Sequence, residues 1–100
     1  MSIDKLLHEA SAVLNAASRY SSELSEVGRI DHAIYRMRVL ITTVAAHTYS
    51  SLGKETNIEA VVNELQSVKD VILRTAEQRF GGTSRVLDEF QYKPMKKTGT

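Results

Sequence analysis

Ser51-Leu52-Gly53-Lys54-Glu55-Thr56-Asn57-Ile58-Glu59 is the stretch that divides this chain. Gly53 lacks a Cβ and accepts the left-handed backbone that closes a helix. Thr56, with Glu59 three residues on, matches a capping box. In that box the threonine oxygen accepts from the Glu59 N–H and the glutamate reaches back to the Thr56 N–H. Apolar periodicity runs up to this stretch and resumes after it. It therefore reads as one helix ending and another opening.

Toward the N-terminus, Ile3, Leu6, Ala10, Val13, Ala17, Tyr20, Leu24 and Val27 recur at steps of three and four, the a/d stripe of a helix seam. Ser2 suits the cap of that helix and Asp4 its positive first turn. The opposite face carries Ser11, Asn15, Ser18, Ser22 and Ser25. Serine is a middling helix former, so packing must hold this segment. At Val27-Gly28-Arg29-Ile30-Asp31 the alternation slips by one step. A turn and a kink at Gly28 both satisfy these residues, and Asp31 could cap a new helix. The turn is preferred because it gives three helices of similar length. The next segment shows Ile30, Ile34, Met37, Ile41, Val44 and Leu52, with Ala33, Leu40 and Ala45 beside them. Its β-branched centre, Val39 to Val44, stays helical in this reading because the 3.6 period continues on both sides. So wide an apolar arc marks the central helix.

Toward the C-terminus, Ile58, Val61, Val62, Leu65, Val68, Val71, Ile72, Ala76 and Phe80 make the third helix, with Lys69, Asp70, Arg74, Glu77 and Gln78 toward water. Gly81-Gly82 interrupts it. Val86, Leu87 and Phe90 then give a short amphipathic segment, and Pro94 stops any helix. The expected fold is all-α: an antiparallel bundle of helices 2–27, 31–52 and 56–80 plus a short one at 84–91. A long kinked helical hairpin is the structural alternative. Residues 1–91 form the domain in this reading, and 92–100 a basic flexible tail. The core should comprise Ile3, Leu6, Val13, Leu24, Ile34, Met37, Ile41, Val44, Ile58, Leu65, Val68, Ile72 and Phe80.

Composition narrows the function classes. One hundred residues with 42% apolar and 25% charged side chains suit one globular domain. A formal charge of +1 gives no strong field toward nucleic acid. The absence of cysteine excludes disulfides, thiolate metal sites and a cysteine nucleophile. The apolar runs are short of a membrane span, and Met1-Ser2-Ile3-Asp4 opens no Sec signal. A cytoplasmic location is the expectation, with non-classical export left open.

The one phosphate-like feature is Arg79-Phe80-Gly81-Gly82-Thr83-Ser84-Arg85. Two glycines let N–H groups converge into an anion nest, two hydroxyls stand next to them, and an arginine flanks each side. That set would suit a phosphate or nucleotide, although it is not a Walker A loop. Arg29, His32 and Arg36 fall at i, i+3 and i+7 and could make a small basic patch, or pair locally with Asp31 and Glu26. His8, His32 and His47 form no metal-ligand spacing. No nucleophile elbow or paired-carboxylate arrangement indicates an enzyme, and no cofactor is implied.

Two outlines resemble known families. Arg29-Ile30-Asp31, Ile34 and Arg36 resemble the first-helix pattern of helical chorismate mutases over about twenty residues. A hundred-residue, cysteine-free helical chain with Ser51-Leu52-Gly53 at its middle resembles the WXG100/ESX class of small secreted helical proteins. This chain lacks that family's turn tryptophan, and Tyr92 is followed four residues on by Lys96 rather than by an acid. The leading expectation is a non-enzymatic helical interaction or adaptor protein, acting as a homo-oligomer through the first-helix seam. Inhibitors and assembly factors of phages and mobile elements are often of this kind. The alternatives are a phosphate or nucleotide binder at the second glycine break and an ESX-like secreted protein.

Overall fold

The computed structural model describes residues 2–50, 57–82 and 84–92, which hold helices and no strand. In order these are α1 (Ile3–Arg19), α2 (Ser21–Leu24), α3 (Asp31–Tyr49), α4 (Ile58–Phe80) and α5 (Ser84–Asp88). Each of α1, α3 and α4 packs against the other two, and α5 lies on α4. The fold is the small all-α bundle that the periodicity indicated.

Helix starts follow local chemistry. Ser2 is extended, and its hydroxyl oxygen accepts the Lys5 N–H at 3.3 Å. Asn57 caps α4, its Oδ1 accepting from the Ala60 N–H at 3.3 Å. The expected cap, Thr56, lies outside the described residues, as does Gly53. Asp31 does not cap α3: Ile30 holds that position with no side-chain bond, and Asp31 sits in the first turn, where its charge meets the helix dipole. The β-branched centre of α3 is helical, and within it the hydroxyls of Thr42 and Thr43 donate back to the carbonyls of Arg38 and Val39, at 3.0 and 2.9 Å, which satisfies them locally.

The first helix is shorter than its seam implied, ending at Arg19 instead of Val27. Tyr20 takes φ −106° and ψ 24°, between the α1 and α2 segments. At the bend both backbone groups of Tyr20 are paired: its N–H reaches Ala16 O and its carbonyl receives the Leu24 N–H. The serines favour such a break: Ser25 Oγ donates to the Ser21 carbonyl at 2.8 Å, a local bond that competes with a continuing helix. The chain then turns through residues 25–30, so Gly28 belongs to a turn and not to a kink. α3 ends at Tyr49, and the last helix spans only 84–88.

Leu6, Val13, Leu24, Ile34, Met37, Val44, Leu65, Ile72 and Phe80 are buried as expected. Ile3, Ile41, Ile58 and Val68 are half-buried at the margin. Ile30, Leu40, Ala76 and Phe90 complete the centre. Along α1, Leu6, Ala10, Val13 and Ala17 are all buried within the single chain. The seam that suggested pairing between chains is thus covered inside one protomer.

Candidate functional site

Where α3 and α4 run side by side, their solvent-facing edges leave a groove of about 260 Å³, lined by His32, Ala33, Arg36, Glu64, Ser67, Val68 and Val71. Its floor is apolar. Arg36 and Glu64 close one side with two parallel bonds, Nε to Oε2 at 2.6 Å and Nη2 to Oε1 at 2.8 Å. The bonds from Arg36 hold the Glu64 carboxyl below its ordinary range, and those to Glu64 raise the guanidinium. Both side chains remain about two-fifths in solvent (40% and 43% exposed), so the pair adds orientation more than stability. Val71 stands 43% exposed at the groove. Tyr35, 63% exposed, stands one turn along α3 from His32.

A second constellation joins the end of α1 to the residues after α5. Glu89 receives the Tyr20 hydroxyl on Oε2 at 2.6 Å and pairs through Oε1 with Arg19. The Tyr20 hydrogen bond first, then Arg19, draws the Glu89 carboxyl below its usual range. The same bond, with burial and the carboxylate charge, raises the Tyr20 phenol. The Tyr20 ring packs edge-on to Phe80 at 5.4 Å and beside Phe90 at 6.2 Å. Tyr92, assigned by sequence to the tail, stacks on His8 with centroids 5.1 Å apart. Next to this clasp, Val13, Leu73, Leu87 and Phe90 line a groove of about 370 Å³, crossed by a 3.4 Å contact from Lys69 to Glu9.

The expected anion residues are placed as follows. Arg79 donates from Nε to Glu26 at 2.9 Å, and its guanidinium stands 5.2 Å over Phe80. Gly81 and Gly82 are exposed, and Gly82 takes φ +90°. Ser84 opens α5, a helix of five residues, on which Arg85 is exposed; Thr83 lies outside the described residues. Arg79 is thus drawn toward the α2–α3 turn, and its charge is already matched.

The basic patch is divided in a similar way. Arg29 and His32 are exposed, while Arg36 is committed to Glu64 on the neighbouring helix. Local pairing with Asp31 and Glu26 is replaced by pairing across the bundle, since Glu26 goes to Arg79. Sequence reasoning missed the Arg36–Glu64 and Tyr20–Glu89 pairs, which join positions 28 and 69 apart. No local spacing signals such partners. Among the described residues, no group of His, Asp and Glu could hold a metal ion.

No protein-family model, curated protein or solved structure matches the chain.

Proposed function

We propose that this chain is a non-enzymatic interaction module that receives a helix of a protein partner in the α3–α4 groove. The observation that carries this is the distribution of exposed apolar side chains. Among the described residues the large exposed hydrophobic ones are Tyr35, Tyr49 and Val71; Val71 lines the groove, and Tyr35 is one turn along α3 from His32, which lines it too. Two helices side by side present a trough into which the ridge of a third packs. The Arg36–Glu64 fork spans α3 and α4 at that edge and keeps its wall fixed before anything binds. The ion pairs Arg19–Glu89, Lys69–Glu9 and Arg79–Glu26 tie other elements together, and none of their residues lines the groove.

With the α1 seam internal, self-association would have to use another surface, and this apolar-floored groove is one such surface. The test compares wild type with Tyr35→Asp/Val71→Asp as baits in extract from the native source. Both positions are exposed, so the double variant should keep the wild-type circular dichroism and melting curve. A protein retained by wild type and lost by the folded variant supports the reading. An unchanged retained set contradicts it.

A further inference from the structure

We infer that residues 84–92 form a strap that undocks from the bundle as one unit while α1, α3 and α4 stay packed. The three long helices close on one another without it, since each packs against the other two. Among the strap's described side chains Phe90 is the buried one, and Val86 and Leu87 are half-buried. The other buried apolar residues, from Leu6 to Phe80, lie outside it. Backbone bonding draws the same boundary. The N–H groups of Glu89, Phe90 and Gln91 donate to the carbonyls of Val86, Leu87 and Asp88, at 3.0, 3.0 and 3.2 Å. These bonds stay within the strap, and side chains make the contacts with the bundle. Nine residues are too few to hold such structure alone, because nucleation is costly and short isolated helices are marginal in water. Docking and local order are therefore gained and lost together.

The docked contacts are partly wet. Phe90 packs against Tyr20 and Phe80, with ring centroids 6.2 and 6.4 Å away. Glu89 pairs with Arg19, whose side chain is 62% exposed, so water competes for that pair. Tyr92 stacks on His8, which is exposed. Between strap and bundle the groove of about 370 Å³ stays open, with Leu87 and Phe90 on the strap side and Val13 and Leu73 on the other. The link to α4 is the exposed pair Gly81 and Gly82. Gly82, at φ +90° and with open space where a Cβ would stand, is a pivot that no neighbour restrains. Undocking uncovers the sides of Tyr20 and Phe80 that Phe90 now meets. Tyr20 and Phe80 keep their own edge-on contact at 5.4 Å, so the bundle does not depend on the strap to hold them together. A segment with so few buried apolar contacts opens at a lower free energy than the domain that carries it.

The test is residue-resolved amide hydrogen exchange, read by nuclear magnetic resonance on the full chain in steps of urea below its unfolding transition. The N–H groups of Glu89, Phe90 and Gln91 should share one opening. After correction for intrinsic rates they should exchange roughly tenfold or more faster than those of Leu40 and Leu65, buried in α3 and α4. Urea should speed them less steeply, because undocking the strap exposes less surface than unfolding the domain. Val44→Ala gives a second reading. Val44 is buried in α3, which supplies no residue to the strap's groove or to the Glu89 pair. This variant should raise exchange at Leu40 and Leu65 about tenfold or more and leave residues 89–91 unchanged; should it fail to fold, the wild-type urea series decides alone. Protection at 89–91 equal to that of Leu40 and Leu65, with the same urea slope, would show that the strap unfolds only with the whole domain, and overturns the inference. An equal response of all five amides to Val44→Ala overturns it as well. So do three unrelated openings at 89, 90 and 91 that urea leaves unchanged, which would mean fraying of single bonds.

Discussion

Tyr20 donates its phenolic hydrogen to Glu89 Oε2 at 2.6 Å, while Arg19 pairs with the other oxygen of the same carboxylate. The residue that bends the first helix is thus the one that anchors the last turn of the described chain. Its ring completes a cluster with Phe80 and Phe90, so the break at Tyr20 and the docking of α5 are a single packing event.

This clasp makes stability depend on pH in a stated direction. Glu89 titrates below its ordinary 4.5, so its contribution is present above that value and is lost as pH falls through the lowered one. Tyr20 titrates above its ordinary 10.0, so its contribution holds below that value and is lost as pH rises through the raised one. The melting-temperature gap between wild type and Glu89→Gln should be widest between 4.5 and 10.0 and should narrow on the acid side. A gap that stays constant with pH would show that Glu89 acts through packing alone.

Phe90 is 2% exposed, although it follows a diglycine break and stands near the end of the chain. Phe90→Ala should cost about 3 kcal/mol, because a buried aromatic leaves both lost burial and a cavity. Urea denaturation followed by circular dichroism measures it. A loss near zero would mean that the segment after α5 does not pack in solution.

The turn into α5 depends on its two glycines for different reasons. A Cβ on Gly81 would stand 2.7 Å from the Glu77 carbonyl oxygen, and that oxygen is backbone and cannot swing away. Gly82 has open space around it but a φ of +90°, which L side chains resist. Gly82→Ala should cost about 1–2 kcal/mol, and Gly81→Ala should lower the melting temperature and loosen α5. Hydrogen exchange of residues 84–92 would report that loosening.

Asn57→Ala should cost about 1 kcal/mol, because it removes the oxygen that accepts the Ala60 N–H at the start of α4. Chemical denaturation of this variant checks the cap directly, and a neutral result would place the start of α4 elsewhere.

Much of the bundle was legible because it depends on periodicity. Leu6, Ala10, Val13 and Ala17 announced the buried face of α1, and the slip at Gly28 announced a turn. The end of α1 was not legible: Tyr20 and Leu24 continue the seam in sequence, but Tyr20 turns its ring toward Phe80 and Phe90. Those partners are defined only once the chain has folded. The groove was hidden for a similar reason. Val71 looks like a core residue beside Ile72, yet the 100° between neighbours puts Ile72 at 0% exposure and Val71 at 43%. Of the basic patch, sequence placed Arg29, His32 and Arg36 on one face, but it could not show that Glu64 would take Arg36 and leave Arg29 free.

The claim that the α3–α4 groove is the binding face is tested most directly by photo-cross-linking in the native cell. A benzophenone amino acid would replace Tyr35, exposed one turn along α3 from the groove-lining His32, and in a control would replace Ser18, exposed on α1. The account predicts a discrete cross-linked protein from position 35, absent from position 18 and lost when Val71→Asp is added. The same adduct from both positions, or an adduct from position 35 that survives Val71→Asp, would contradict it.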